Sequence, residues 1–315
     1  MIKKNRLFKS FRFVMISTIL KLKSFRTKKA MLICSYPRSG STWIMEQINT
    51  YPNTIVNWEP LHVKKGVVPV SFFLGEKPLI PVDSKSSSYK RFFDRVFRFK
   101  TINQWSTWYC GFKQAITAKY VITKFVRANN LLPWFVNTYD FEYKPIYLLR
   151  HPIPTALSVI KSFSNNASEL MNFTMPKTLN NDRYHLHVDY INGLLTRLEQ
   201  HVAIWCIDNI EIINHNDSNQ WLSVYYENFI LDPKTTLSHI FETWNLNYDT
   251  TKLETIDFKK PSRTVYDKND LKPDANLHIE SFLEKFDQDE LQRIQDILNH
   301  FGVKNYTAFD AYPKC

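Results

Sequence analysis

The 315-residue sequence predicts an α/β fold in which a central parallel sheet is flanked by helices. Short apolar runs at residues 31–34, 120–125 and 145–149 are typical of buried strands, and helical patterns follow them, as in parallel βαβ units. A polar loop at residues 35–43 joins the first run to the start of a helix. Such a loop points backbone N–H groups and the positive end of the helix dipole at one spot. We therefore expect an anion site directly after the first strand.

Most of the net positive charge belongs to the N-terminus. The chain has 41 Lys and Arg against 30 Asp and Glu, and ten of the basic residues lie within residues 1–29, before the first acid, Glu46. We interpret residues 1–29 as a basic amphipathic N-terminal arm and residues 30–315 as a single α/β domain. Because the domain is close to neutral, nothing in the charge predicts a nucleic-acid-binding surface.

The uncharged apolar run of the arm is too short to cross a membrane. Its uncharged run, residues 13–20, is eight residues long, whereas a transmembrane helix needs about 20. One helical face would carry Phe8, Phe11, Met15, Ile19 and Leu22. This pattern predicts either peripheral contact of residues 1–28 with an anionic membrane surface or a helix packed on the domain. The four scattered cysteines favour reduced, buried thiols and a cytoplasmic protein, with or without membrane association.

The remaining elements follow from periodicity and from helix and turn signals. Pro60 favours an extended backbone at Glu59, and Gly302 ends the last helix. In order, we predict a helix at 41–50, a strand at 54–57, a loop at 66–88, a helix or a long covering loop at 91–108, a helix at 154–163, an irregular stretch at 164–189, a helix at 191–214, a strand at 221–226, and helices at 233–244 and 289–301.

The polar loop has the sequence S-Y-P-R-S-G-S-T-W. Gly40 lets the backbone approach a ligand closely, and Arg38 can bind oxyanions. The loop differs from the Walker A pattern, because Ser41 stands where the lysine would be. It resembles the 5′-phosphosulfate loop of the sulfotransferase family, Y-P-[KR]-S-G-[ST]-T-W, which implies a P-loop-like three-layer fold. The resemblance places these residues on the donor: Arg38, Ser39, Gly40, Ser41, Thr42 and Trp43, whose ring would stack on adenine.

Three further segments resemble donor-binding motifs of the same family. Arg150 and Ser158, in L-L-R-H-P-I-P-T-A-L-S, are similar to its 3′-phosphate motif, with His151 in place of the usual Asn or Asp. The segment V-Y-Y-E-N-F-I-L-D-P resembles its Y-E-D-L-x-x-D-P motif, which implies that Tyr226 contacts the nucleotide and that Glu227 braces the loop. A compact basic loop at 260–264 looks like the late phosphate-contacting segment and adds two candidates, Ser262 and Arg263.

The resemblance implies 3′-phosphoadenosine 5′-phosphosulfate (PAPS) as the donor. No acidic cluster or His/Cys set in the sequence predicts a metal site. Sulfuryl transfer needs cations where charge builds on the leaving oxygen, and Arg38 and Lys124 are the candidates. Cytosolic members place a catalytic histidine two residues after this lysine, where the chain has Val126.

The general base is predicted from another branch of the family. Glu59 in W-E-P-L-H, and Lys124 with Arg127 in K-F-V-R, resemble features of the carbohydrate and protein-tyrosine sulfotransferases. Glu59 is therefore the candidate base, and His62 is the alternative.

The predicted function is that of a PAPS-dependent sulfotransferase acting on an acceptor hydroxyl, with a carbohydrate favoured as the acceptor. Two alternatives remain from the residues alone. One is a P-loop-type small-molecule kinase, and the other is a non-catalytic protein that binds membranes or polyanions through its N-terminus.

Overall fold

The computed structural model describes residues 2–72, 74–163, 169–264 and 274–314. All five strands of its sheet are parallel, in the order β2-β3-β1-β4-β5. The strands are β1 (Ala30–Ser35), β2 (Thr54–Trp58), β3 (Tyr120–Phe125), β4 (Ile146–Leu149) and β5 (Leu222–Tyr225). The predicted strands and their parallel arrangement are thus confirmed.

Helices connect these strands and cover the sheet. In the described residues the α-helices are α1 (Ile2–Leu22), α2 (Ser41–Ile48), α3 (Ser87–Phe97), α4 (Phe112–Thr117), α5 (Leu132–Thr138), α6 (Pro152–Phe163), α7 (Val188–Asn192), α8 (Arg197–Ile213), α9 (Tyr226–Leu231), α10 (Pro233–Thr243), α11 (Ala275–Glu280) and α12 (Gln288–His300).

Both faces of the sheet are buried, which gives the predicted three layers. Leu32 and Cys34 of β1 pack into one apolar cluster with residues of α3, α5, α8 and α12. Their neighbours Met31 and Ile33 point the other way, into a second cluster with residues of α2 and α10. Successive side chains of a strand face opposite sides, so a strand covered on both sides must be apolar throughout. Every residue of β1 is indeed buried.

Two sequence expectations about the helices need correction. The predicted helix at 191–214 is two helices, because α7 ends before Gly193 and the chain turns before α8 begins. Thr196 caps α8 in a capping box with Glu199, whose backbone N–H is 3.2 Å from the Thr196 hydroxyl. The aromatic stretch at 91–108 divides as well, into α3 and the loop that follows it. Residues 164–168 of the predicted irregular stretch lie outside the described residues, and no α-helix forms between 169 and 187.

Helix α1 packs on the domain through a face that the sequence did not single out. Ile16 and Leu20 are buried in a third apolar cluster with Ile55 and Val121, whereas Phe11 and Leu22, on the predicted apolar face, are exposed. The side chain of Phe8 lies outside the described residues. In the part of the chain that the structure describes, no helix is both long enough and apolar enough to cross a bilayer. The cysteines described, Cys34, Cys110 and Cys206, are buried free thiols, as predicted.

Candidate functional site

The predicted site residues gather at the carboxyl edge of the sheet. Ser35 of β1 leads into the polar loop, Lys124 lies near the end of β3, and Glu59 directly follows β2. Arg150 follows β4, and Tyr226 follows β5. Open parallel sheets bind their ligands outside this edge, where the loops leave the strands. All five strands therefore deliver a candidate residue to one region.

The backbone of the polar loop leaves no room for a side chain at Gly40. This residue has a φ of 83°, in the left-handed region that favours glycine. A Cβ atom built there would lie 2.3 Å from a ring carbon of Tyr226. Gly40 is also the N-cap of α2 and provides no side-chain cap, so the first N–H groups of the helix stay available to an anion.

Arg38 and Arg150 belong to one connected cluster. The Arg38 Nε donates to the Ser158 hydroxyl at 3.0 Å, and the Arg150 Nη1 donates to the Arg38 carbonyl at 3.0 Å. The Arg150 guanidinium also lies 4.5 Å from the centre of the Tyr226 ring. The polar loop and the Arg150–Ser158 motif, which lie more than 100 residues apart in sequence, thus form a single cationic region.

Two buried polar atoms in this region have unused hydrogen-bonding capacity. The Ser39 hydroxyl and the Arg150 Nε are buried, and neither finds a hydrogen-bond partner among the described residues. Leaving such groups unsatisfied costs about 1–3 kcal/mol each. An anionic ligand that reached these two atoms could accept a hydrogen bond from each.

Glu227, which follows Tyr226, holds the backbone directly after Arg150 in place. Its Oε1 accepts the backbone N–H of His151 at 2.8 Å, and its Oε2 accepts the hydroxyl of Tyr306 at 3.0 Å. The carboxylate is buried, and burial raises its pKa from the usual value while these hydrogen bonds oppose the shift. Glu227 therefore acts as a structural brace.

Lys124 links the candidate base, Glu59, to Thr42 of the polar loop. Its ammonium lies 2.6 Å from the Glu59 Oε1 and 3.3 Å from the Thr42 hydroxyl. It also lies 4.1 Å from the centre of the Trp58 ring, in a cation–π contact. Burial lowers the pKa of Lys124, and the Glu59 carboxylate opposes this effect.

The backbone at Glu59 differs from the extended conformation expected before Pro60. Its φ is 38°, held by three hydrogen bonds. The Glu59 N–H donates to the Lys124 carbonyl at 3.0 Å, and the Glu59 carbonyl accepts from the His62 N–H at 3.0 Å and from the Trp105 indole at 3.2 Å. Arg38 also has a positive φ, of 68°. Such conformations cost about 1–3 kcal/mol and concentrate at functional sites.

The alternative base, His62, has its Nδ1 engaged. This nitrogen accepts the backbone N–H groups of Lys64 at 3.2 Å and Lys65 at 3.3 Å. In the neutral ring the proton then sits on Nε2, which can donate but cannot accept a proton. Burial and the charge of Arg127 lower the pKa of His62. His62 is therefore poorly arranged to take a proton from an acceptor.

Aromatic residues next to Glu59 were not predicted as part of the site. Trp105 donates to the Glu59 carbonyl, and its ring is parallel to that of Trp108 within 6°, with centroids 6.2 Å apart. Trp108 is 44% exposed. The sequence signal was the dense aromatic content of residues 91–108, but nothing in it indicated that the second half would lie beside Glu59.

Three of the residues predicted to bind the donor nucleotide contact other protein side chains. Arg263 pairs with Glu46, with its Nε 3.9 Å from Oε1, and its guanidinium lies 5.1 Å from the Tyr109 ring centre. The Ser262 hydroxyl is 3.3 Å from that of Thr264. The half-buried Trp43 packs edge-on against Phe229, with a centroid distance of 5.1 Å. The assignment of these three residues to the donor stays a prediction.

Several proteins of known structure are similar to the chain at low identity. A mouse sulfotransferase complexed with PAP is 15% identical, with 92% of this chain and 90% of that chain covered at a TM-score of 0.45. The sulfotransferase domain of the curacin biosynthetic pathway is 17% identical, with coverages of 89% and 99% and a TM-score of 0.44. That of the Synechococcus PCC 7002 olefin synthase is 18% identical, with coverages of 90% and 98% and a TM-score of 0.43.

The family is settled by a match along almost the whole chain. Among curated proteins, none matches the chain. The family model of the sulfotransferase domain, in contrast, matches residues 28–310. This match includes every strand of the sheet and every candidate residue at its carboxyl edge. The chain therefore belongs to the sulfotransferase domain family, and it is a sulfotransferase.

Proposed function

We propose that this sulfotransferase, whose donor is PAPS, transfers the sulfuryl group to a hydroxyl group of a carbohydrate, with Glu59 as the general base. The observation that carries this proposal is the chain of contacts from Glu59 through Lys124 to Thr42. It joins a carboxylate, which can take a proton, to the loop that would hold the donor. The proposed base therefore lies next to the proposed donor loop, as direct transfer requires.

In the proposed reaction, the acceptor oxygen forms a bond to sulfur while the bond from sulfur to the bridging phosphate oxygen breaks. The hydroxyl proton passes to Glu59, and the products are a sulfate ester and adenosine 3′,5′-bisphosphate (PAP). Negative charge builds on the leaving oxygen, and in this proposal the cations of Arg38 and Lys124 stabilise it. The ammonium of Lys124 also holds Glu59 at the site.

A carbohydrate acceptor is supported by the two tryptophans beside Glu59. The exposed ring of Trp108 and the half-buried ring of Trp105 offer flat apolar surfaces, against which the C–H faces of a sugar ring can pack. Ligand sites typically combine such aromatic walls with a few polar groups that orient the ligand. Here those polar groups would be Glu59, His62 and the ammonium of Lys65, which lies 4.7 Å from the Trp105 ring centre.

The contacts of Thr42 favour sulfuryl transfer over the kinase alternative. In a P-loop kinase this hydroxyl would hold Mg²⁺. Here it accepts a hydrogen bond from the ammonium of Lys124, and a divalent cation at the same oxygen would be repelled by that charge. Within the described residues, no group of three or more His, Cys, Asp or Glu side chains is placed to hold a metal ion.

The test is a transfer assay with radiolabelled PAPS on the wild-type protein and on Glu59→Gln. Without its base, the variant should lose transfer by about 100- to 10,000-fold, while PAP should still raise its melting temperature in the presence of EDTA. The matched control is Glu254→Gln, a change at an exposed carboxylate on the surface, which should keep full activity.

The acceptors tested are neutral oligosaccharides, acidic oligosaccharides and simple phenols. Transfer to phenols alone would contradict the carbohydrate assignment. Full activity of Glu59→Gln would remove Glu59 as the base. A melting temperature that PAP leaves unchanged would contradict the donor site itself.

A further inference from the structure

Two neighbouring helices, α1 and α4, expose large apolar side chains. Helix α1 runs beside the segment that ends in α4. The Arg12 guanidinium donates to the carbonyls of Trp108, at 3.1 Å, and Cys110 near one end. The Lys23 ammonium bonds the carbonyls of Ile116 and Ala118 at the other. These hydrogen bonds tie α1 and the residue after it to both ends of the segment 108–118.

The outer surface of this pair carries several large apolar side chains. On α1, Phe11 is 63% exposed, Val14 56% and Leu22 82%; on α4, Phe112 is 48% exposed and Ile116 51%. The opposite face of α1 is already used, since Ile16 and Leu20 are buried against the domain. A helix that is apolar on both sides has a second apolar environment to contact. We call the five exposed residues the α1/α4 patch.

The two stretches of chain that form α1 and α4 carry only positive charge, and the carboxylates of Asp94 and Asp140 contact Thr27 and Lys28, which follow α1. No Asp or Glu occurs in residues 1–45 or in residues 95–139, the two stretches that contain α1 and α4. Exposed cations flank the patch: Lys21, Arg26, Lys113 and Lys119. The patch is therefore an apolar surface within a cationic border, which is typical of proteins that lie on anionic lipid.

We propose that the α1/α4 patch docks the enzyme on the surface of an anionic lipid bilayer. The apolar side chains would enter the boundary between headgroups and acyl chains, and the lysines would contact acidic headgroups. A second copy of the chain fits less well. A symmetric dimer places the same patch on both partners, so two cationic borders would face each other.

The test is co-sedimentation of the full chain with vesicles. One set contains phosphatidylcholine alone and the other an equal mixture of phosphatidylcholine and phosphatidylserine. We expect the protein to sediment with the mixed vesicles and to remain in solution with the neutral ones. Raising the salt concentration should weaken the binding, because the Debye length falls.

Variants distinguish binding through the α1/α4 patch from nonspecific adsorption to vesicles. The triple variant Phe11→Ser, Leu22→Ser, Ile116→Ser should bind the mixed vesicles at least about tenfold more weakly. Lys113→Glu with Lys119→Glu should remove the preference for phosphatidylserine. The matched control is Leu186→Ser, Leu195→Ser, Leu277→Ser, which changes three leucines of comparable exposure outside the patch and should bind normally. Since all these positions are exposed, melting temperatures should stay close to that of the wild type.

Three outcomes would overturn the proposal. The first is failure of the wild-type protein to bind the mixed vesicles, and the second is equal binding by the triple variant and its control. The third is a wild-type protein that binds no vesicles and sediments as a dimer, while the triple variant sediments as a monomer. That result would assign the patch to contact with a second copy of the chain. None of these readouts depends on sulfuryl transfer.

Discussion

At the scale of single residues, the site depends on how closely the polar loop approaches Tyr226. This ring lies next to both Gly40 and the Arg150 guanidinium. It therefore fixes the distance between the loop and the second cationic motif. A change of one methyl group at Gly40 would act on both.

We predict that Gly40→Ala abolishes PAP binding, as measured by isothermal titration calorimetry. The added Cβ would lie 2.3 Å from the Tyr226 ring, so the ring or the loop must move. The control is Gly302→Ala, where φ is also positive, at 71°, but nothing lies within 4 Å of the new Cβ. That variant should lose about 1 kcal/mol of stability from backbone strain alone and bind PAP normally. Equal binding by both variants would contradict this account.

At the scale of elements, one carboxylate holds two long loops against α8. Asp208 is buried and pairs with Lys77 from the loop before α3. It also accepts the hydroxyl of Tyr184 and lies 3.5 Å from Arg183, both from the segment before α7. Neither Lys77 nor the Arg183–Tyr184 pair lies in an α-helix or a strand, and the buried cluster ties both segments to α8.

We predict that Asp208→Asn lowers the free energy of unfolding by about 3 kcal/mol, because it leaves the cation of Lys77 without its buried counterion. Urea unfolding followed by circular dichroism measures this loss. The control is Glu254→Gln, which breaks the exposed pair with Lys234 and should cost less than about 1 kcal/mol. Similar losses in both variants would show that the buried cluster has no special role.

At the scale of the whole molecule, acid stability reflects a buried histidine. The His151 ring is neutral, because its Nδ1 accepts the Ile153 N–H at 3.2 Å and its Nε2 lies 3.0 Å from the Thr307 carbonyl, to which it donates. Burial lowers its pKa from 6.5 to about 4. Between pH 6.5 and about pH 4, this histidine is protonated in the unfolded chain and neutral in the folded chain. Stability is therefore full above the unfolded pKa and falls as the pH drops toward the folded one.

We predict that His151→Asn makes unfolding less sensitive to acid. The wild type should lose about 3 kcal/mol of stability from this residue between about pH 6.5 and pH 4, and the variant should lose none of it. Urea unfolding of both proteins across this range gives the difference in slope. His201, whose pKa burial also lowers to about 4, is present in both and cancels. Parallel pH profiles would refute the prediction.

The sequence alone determined the fold class and the chemical types at the site. Buried strands, the glycine turn and the helix starts depend on residues close together in the chain, so β1, the polar loop and α2 were placed correctly. The motif around Arg150 was found in the same way, as a strand end followed by a helix.

Only the tertiary structure decided which of these residues meet. The pairing of Glu59 with Lys124 joins residues 65 positions apart, and no local pattern specifies it. The positive φ of Glu59 overrode the preference set by Pro60, because hydrogen bonds from β3 and from Trp105 hold it. Likewise, both faces of α1 are apolar, so the packing of Ile16 and Leu20 on the sheet, and not periodicity, fixed which face points outward. Local propensities are weak compared with the burial and hydrogen bonding that a packed fold imposes.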